Sequence, residues 1–396
     1  MKIKTFEFNI MEFSGSLGDL GTLIPLSLGM IIVCGLNTST VLVMIGLFYV
    51  ASGLFFKLPV PVQPLKLVAA IAIANPSKIT PEIISGASII FGIILLFSGL
   101  TGFIDKLSKL FKKPIIRGIQ LGLGLILAQK GMTFIMDPSL FNWNQNLLEI
   151  NGYSLPLNLL IGIMMIGLTL IFLNNKKFPT ALIIVAIGIC IGILSGRMNE
   201  TSFETGSTGF SLTIPSFENM FTALFLLVIP QIPLTIGNAV IGTADTCFSL
   251  FGKNKKTKNI SYRSLANSMG IINCMVGFLG GMPMCHGAGG LAAHYRFGAR
   301  TGGSNIMIGL VFMVSGIFFG KMSFAVLSCL PNAVFGTLLL FTGLELSILI
   351  RDLDQKKDIF IALLIACIAI STNNMGVAFI SGMLTDQLIK WKRIEL

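Results

Sequence analysis

Apolar runs of about twenty residues recur from one end of this 396-residue chain to the other, and each is long enough to cross a hydrocarbon layer roughly 30 Å thick. No water-soluble fold can hide so many. Composition agrees: 54% of residues are apolar and 11% charged, against roughly 25% charged in a soluble domain. With the bilayer as solvent, every backbone N–H and C=O must be paired inside the protein, which leaves helix bundles or closed barrels. The runs are continuous rather than alternating, so they favour helices. The net charge of +11 does not mark a nucleic-acid binder, because the basic residues are scattered over short loops. Seven cysteines lie mostly inside apolar runs without a CxxC pair or metal-ligand spacing, as small buried hydrophobes do. No metal or cofactor is expected. Lys2 and Lys4 precede the first run, but Glu12 and Asp19 interrupt any signal-peptide core, so this stretch reads as a retained first span.

Breakers divide the chain into seven spans, 14–34, 38–56, 61–75, 82–104, 115–136, 156–174 and 178–196. After a polar stretch at 197–217 come seven more, 218–243, 264–281, 284–298, 303–320, 322–350, 358–371 and 374–390. The third, tenth and thirteenth are too short or too broken by Gly and Pro to be ordinary spanning helices. With the N-terminus placed in the cytoplasm, 23 of the 28 Lys and Arg fall in cytoplasmic segments, in clusters such as Lys106–Arg117 and Lys253–Arg263. That bias is the expected one for an even number of spans with both termini inside. Ser16-Leu17-Gly18-Asp19 aligns with Thr235-Ile236-Gly237-Asn238, and Pro61-Val62-Gln63 with Pro283-Met284-Cys285, at nearly the same offset. Duplication of an odd number of spans inverts the second copy. The expected architecture is therefore an all-α polytopic membrane protein of fourteen segments in a seven-plus-seven inverted repeat, residues 1–200 and 215–396.

Two interrupted segments carry the most pointed chemistry. In Pro59-Val60-Pro61-Val62-Gln63-Pro64-Leu65-Lys66, three prolines within six residues keep the chain extended and then start a helix after Pro64. A half-helix that begins inside the membrane aims unpaired N–H groups and about half a positive charge at what lies before it, an anion site. Lys66 would add a full charge; alternatively it snorkels to an interface from a kinked helix. The counterpart, Gly280 to Gly290, is again extended at Pro283 and then Gly-rich, so that bare N–H groups can approach a ligand. Tight helix packing explains those glycines equally well. If the repeats are inverted, the two half-helix N-termini face each other near the midplane, with room for a dianion between them.

Intramembrane acids are rare and mark ion or proton paths. Asp19, flanked by Gly18 and Gly21, is the leading candidate for proton coupling; Asp245 is the second, or else a helix-end cap. Glu12 lies at the start of the first span, and Glu345 either serves the pathway or pairs with Arg351. His286 is a candidate proton carrier or a hydrogen-bonded core histidine. Cys285 and His286 are adjacent and point about 100° apart on a helix, so they are not a facing nucleophile and base. The chain is not expected to be an enzyme.

These stretches resemble the molybdate transporter family, a branch related to the sulfate permeases. The matching motifs are Glu12 through Thr22, Pro61 through Lys66, and Met282 through Gly302, reading MPMCHGAGGLAAHYRFGARTG. The resemblance implies a core domain of spans 1 to 4 and 8 to 11 moving against a gate domain of spans 5 to 7 and 12 to 14. It also implies proton-coupled uptake of a tetrahedral oxyanion at the cell membrane, without the soluble C-terminal domain usual in sulfate permeases. Molybdate is the expected substrate and sulfate the alternative; from another class, an anion channel would use the same helix dipoles. The candidate substrate-binding residues are Gln63, Pro64, Leu65, Lys66, Cys285, His286 and Gly287, with Asn238 as the repeat counterpart of Asp19. The partners expected are a small oxyanion, the lipid bilayer and, as a candidate, a second copy forming a homodimer.

Overall fold

The computed structural model of the chain describes residues 6–107, 112–141, 144–145, 147–150, 153–172, 180–195, 204–210, 212–372 and 374–391. Fourteen helical segments follow the expected order. In the first repeat they are α1 (Ile10–Ser16 and Leu20–Ile32), α2 (Thr38–Phe56), α3 (Lys66–Ala74), α4 (Pro81–Thr101), α5 (Lys113–Met136), α6 (Leu157–Phe172) and α7 (Thr180–Leu194). The second repeat holds α8 (Phe217–Phe251), α9 (Tyr262–Phe278), α10 (Ala288–Arg296), α11 (Gly303–Ser328), α12 (Asn332–Ser347), α13 (Lys356–Thr372) and α14 (Met375–Lys390). Among the described residues, six of these helices and the bent pair of α1 are long and apolar enough to cross a membrane. α3 and α10, at nine residues each, are half-length.

Local signals set the ends. Asn37 caps α2 by accepting from Thr40 N–H, Thr80 caps α4 with Pro81 in its first turn, and Ser261 and Ser264 form a reciprocal box at the start of α9. Some boundaries differ from the sequence expectation: α8, expected to end at 243, runs on to Phe251 and so takes in Asp245. The interruption expected at 321 is present as a kink at Phe319 (φ −127°, ψ 21°), but the helix resumes after it and runs on to Ser328, so that α12 starts only at Asn332. The kink is covered from the polar stretch: Gly206 N–H donates to Phe318 O at 2.7 Å and Lys321 N–H to Gly206 O at 3.0 Å. Lys321 Nζ is bonded to Glu204 at 2.7 Å and holds that exposed carboxyl below its ordinary range.

α1 is bent by 48° between its two pieces. α8 carries π-helical turns at Leu224–Val228 and Thr235–Gly242, around Pro230 and Pro233. At the alignment that sets Asp19 against Asn238, the second π-turn occupies the position of the α1 break. Both repeats therefore interrupt their opening span at the same place, and such interruptions concentrate at functional sites.

Packing follows the inverted symmetry. α2 packs along α11 and α4 along α9 in the core, and α5 packs along α12 in the gate. Advancing each helix by one repeat turns the first pair into the second and maps the third onto itself. All three interfaces use glycines seven residues apart on both partners: Gly46 and Gly53 with Gly302 and Gly309, Gly92 and Gly99 with Gly270 and Gly277, and Gly124 and Gly131 with Gly336 and Gly343. A methyl group at Gly131 would sit 2.5 Å from Gly336 O, and one at Gly336 2.6 Å from Gly131 O. In lipid, where apolar burial between helices has no driving force, such close backbone approach supplies the dispersion contacts that hold helices together.

Candidate functional site

The two extended proline stretches meet. Gln63–Pro64 and Met284–Cys285 form an antiparallel pair in which Gln63 lies opposite Cys285 and Pro64 opposite Met284. Leu65 N–H continues it by donating to Pro283 O at 2.9 Å. α3 and α10 begin immediately after this crossing, so the two half-helix N-termini share one place in the fold.

Extended backbone at membrane depth must find its partners within the protein. Here side chains take the carbonyls almost one by one. Pro59 O accepts from His294 Nδ1 at 3.1 Å, Val60 O from Ser52 Oγ at 2.9 Å and Asn305 Nδ2 at 2.6 Å, Pro61 O from His286 Nδ1 at 2.9 Å, and Val62 O from Tyr49 Oη at 3.1 Å. Cys285 Sγ lies 3.6 Å from Pro64 O. On the second stretch Asn273 binds both groups of Met284, Oδ1 taking its N–H at 2.8 Å and Nδ2 reaching its carbonyl at 2.7 Å. Because a carbonyl only accepts, each histidine carries its proton on Nδ1. His286 Nε2 lies 2.8 Å from Ser268 Oγ, and Phe48 and Phe56 enclose the ring.

Beside the crossing lies a cavity of about 410 Å³. Its core wall comes from α1, α3 and α10, with Asp19, Thr22, Gln63, Lys66, Gly289 and Gly290; its gate wall comes mainly from α12, with Thr337, Phe341, Thr342 and Glu345. At roughly 30 Å³ per water, this volume holds a small polyatomic ion together with several waters. Gln63 Nε2 donates to both Asp19 oxygens, each at 2.8 Å. α10 comes so close that a Cβ at Gly290 would lie 2.7 Å from Gln63 Nε2 and against the Asp19 carboxylate. Only a glycine fits there. Nothing lies within 4 Å of a Cβ placed at Gly289, which faces open space.

The two N-termini differ. On α3, Leu67 and Val68 N–H donate to Gln231 Oε1 from α8 at 3.1 and 3.3 Å. On α10, Gly287 provides no side-chain cap, and the amides of Ala288, Gly289 and Gly290 have no acceptor among the described residues.

Of the sequence-derived candidates, Asp19, Gln63 and Lys66 line the cavity. Pro64, Leu65 and Cys285 build the crossing, His286 braces it, and Gly287 caps α10; none of these five lines the cavity. Asn238 sits in the π-turn of α8 and Asp245 is exposed on α8 beyond it, both outside the lining. Glu345 lines the gate wall. Buried Glu12 reaches another element, its carboxylate accepting Arg300 N–H at 3.0 Å and Thr301 N–H at 3.3 Å. Sequence reading missed Gln231, Asn273 and the threonines Thr22, Thr337 and Thr342. A glutamine between two prolines of an apolar span, Pro230-Gln231-Ile232-Pro233, was the available signal for the first.

A family profile described as "Molybdate transporter of MFS superfamily" matches residues 11–127 and 223–346, which span α1 to α5 and α8 to α12. Molybdate transporter 2 of Arabidopsis thaliana is 30% identical over 97% of this chain and 88% of its own length. Molybdate transporter 1 of the same plant is 28% identical over 99% and 91%, and molybdate transporter 1 of Chlamydomonas reinhardtii 27% identical over 94% and 90%. Among solved structures, the transmembrane domain of the cyanobacterial bicarbonate transporter BicA superposes with a TM-score of 0.65 at 17% identity, covering 95% of this chain and 96% of that one. Murine Solute Carrier 26 family member A9, an anion transporter in its inward-facing state, superposes at 0.69 with 17% identity, covering 100% and 70%. These two likenesses concern the fold.

Proposed function

The chain belongs to the molybdate transporter family, and from that premise we propose that it is a secondary active carrier taking up molybdate together with protons. One observation carries the reading: the crossing of the two interrupted segments, which brings two half-helix starts, Lys66 and Gln63 to the edge of one cavity between core and gate. Helix N-termini and a lysine in a low-dielectric site select an anion, and the donors present suit an oxyanion whose oxygens only accept.

Asp19 is the proton site in this reading, because it is the one acid on the core wall and it contacts Gln63 directly. A dianion moving inward against an inside-negative potential is opposed by about 2.3 kcal/mol per charge per 100 mV. A proton on Asp19 removes one charge from that load. The carrier resides in the cell membrane with both termini cytoplasmic, its repeats occupying residues 1–200 and 215–396.

The test is uptake of labelled molybdate by proteoliposomes, with and without an inward proton gradient and with excess sulfate as competitor. Saturable, gradient-driven uptake that resists sulfate and weakens in Lys66→Ala is the expected result. Uptake indifferent to the gradient removes proton coupling; preferential displacement by sulfate makes the protein a sulfate permease; non-saturating flux that cannot be driven uphill makes it a channel.

A further inference from the structure

We propose that Gln231 is the positioning residue that makes the anion site one-sided. It retains two first-turn amides of α3, those of Leu67 and Val68, so that α3 contributes chiefly the Lys66 side chain and α10 contributes the backbone. The inference rests on the oxyanion reading above.

The two half-helices are repeat counterparts and would offer the same amides to a ligand between them. Gln231 breaks that equivalence. Its Oε1 accepts from both Leu67 and Val68 N–H, while its Nε2 donates to Thr235 Oγ1 at 2.9 Å. The residue is buried and is not part of the cavity lining, so the amides it holds are directed toward α8 and away from the ligand space. Lys66 is the first residue of α3. Pinning the next two amides therefore sets the rotation of that first turn and the direction in which Lys66 leaves it.

The repeat counterpart of Gln231, at the offset that aligns Asp19 with Asn238, is Glu12. It too accepts two consecutive backbone N–H groups from the opposite repeat, but they are those of Arg300 and Thr301, past the far end of α10. The amides of Ala288, Gly289 and Gly290 are consequently left without a protein acceptor among the described residues, beside the open space at Gly289. Of these residues Gly290 is buried and Gly289 is open to the cavity, and amides at a helix start without a protein acceptor are free to donate to an oxyanion oxygen. The ligand's oxygens are thus held by α10 amides on one side and by Lys66 on the other.

The test is a double-mutant cycle on purified protein, with molybdate binding read by calorimetry and folding by thermal melting. Gln231→Leu, similar in volume without an acceptor, is expected to weaken molybdate binding about tenfold. In a Lys66→Ala background the same change is expected to weaken it less than about twofold, because Gln231 acts through Lys66. Thr235→Val releases only the far end of Gln231 and gives a smaller loss with the same non-additivity; it serves if Gln231→Leu does not fold. Unchanged affinity in Gln231→Leu with native melting overturns the proposal, and so does a full tenfold loss in the Lys66→Ala background. Wild-type protein that binds neither molybdate nor sulfate defeats the oxyanion reading itself.

Discussion

Gly290→Ala is the sharpest perturbation of the candidate site, because it adds one carbon where three groups already meet. The new Cβ would stand 2.7 Å from Gln63 Nε2 and closer still to the Asp19 carboxylate. Ordinary van der Waals contact begins near 3.4 Å, so the amide must withdraw by about 0.7 Å and the carboxylate by more. The same face of α10 is already in contact one turn on, where a Cβ at Gly18, the neighbour of Asp19, would lie 2.7 Å from Ala293 O, so tilting α10 about this contact gives no room for the added carbon. Withdrawal stretches the two 2.8 Å bonds between Gln63 and Asp19 to the limit of hydrogen bonding. Hydrogen bonds to a charged group contribute about 1.5–3 kcal/mol, so losing that arrangement corresponds to roughly 10- to 150-fold weaker molybdate binding. Calorimetric titration of purified Gly290→Ala measures this directly. Gly167→Ala on α6 is the control, since nothing lies within 4 Å of its Cβ and alanine is favoured over glycine in a helix by about 1 kcal/mol. Affinity of Gly290→Ala within twofold of wild type would refute the contact argument.

Asp19→Asn keeps a side chain that can face Gln63 but cannot exchange a proton at neutral pH; it is expected to abolish stimulation of uptake by a proton gradient while exchange of internal for external molybdate persists. Asn273→Leu strips Met284 of partners for both its N–H and its carbonyl; at about 1–3 kcal/mol for each buried orphan, a marked drop in melting temperature follows. Gly131→Leu forces a branched side chain onto the backbone of Gly336 and Leu340, and a loss of at least about 1–3 kcal/mol is expected in denaturant unfolding, with α5 and α12 separating first in hydrogen exchange.

Segment count, order and the inverted repeat were legible because hydropathy and breakers act locally: Thr80-Pro81 starts α4 and Gly102 ends it wherever the rest of the chain lies. The crossing was legible for the same reason, since prolines at 59, 61, 64 and 283 forbid regular helix there. That α11 resumes after its kink at Phe319 and runs on to Ser328 is not encoded locally, because the charge that marks an end there, Lys321, is paired with Glu204, remote in sequence. Cys285 and His286 stood out in sequence as chemically active types, yet their bonding serves the Pro61 and Pro64 carbonyls. Their surroundings depend on a segment more than two hundred residues away, which no local pattern encodes. Gln231 and Asn273 escaped for the converse reason. The prolines on either side of Gln231 mark it as unusual, but neither they nor the apolar run around Asn273 say which backbone groups the amide serves.

The proline stretch, braced at carbonyl after carbonyl by Tyr49, Ser52, His286, His294 and Asn305, bears on how cargo can cross. A cradle tied down in this way has no slack with which to mould itself around one passenger and relax for the next. Discrimination has to be built into its resting shape, and delivery has to come from shifting the whole cradle past the opposite wall.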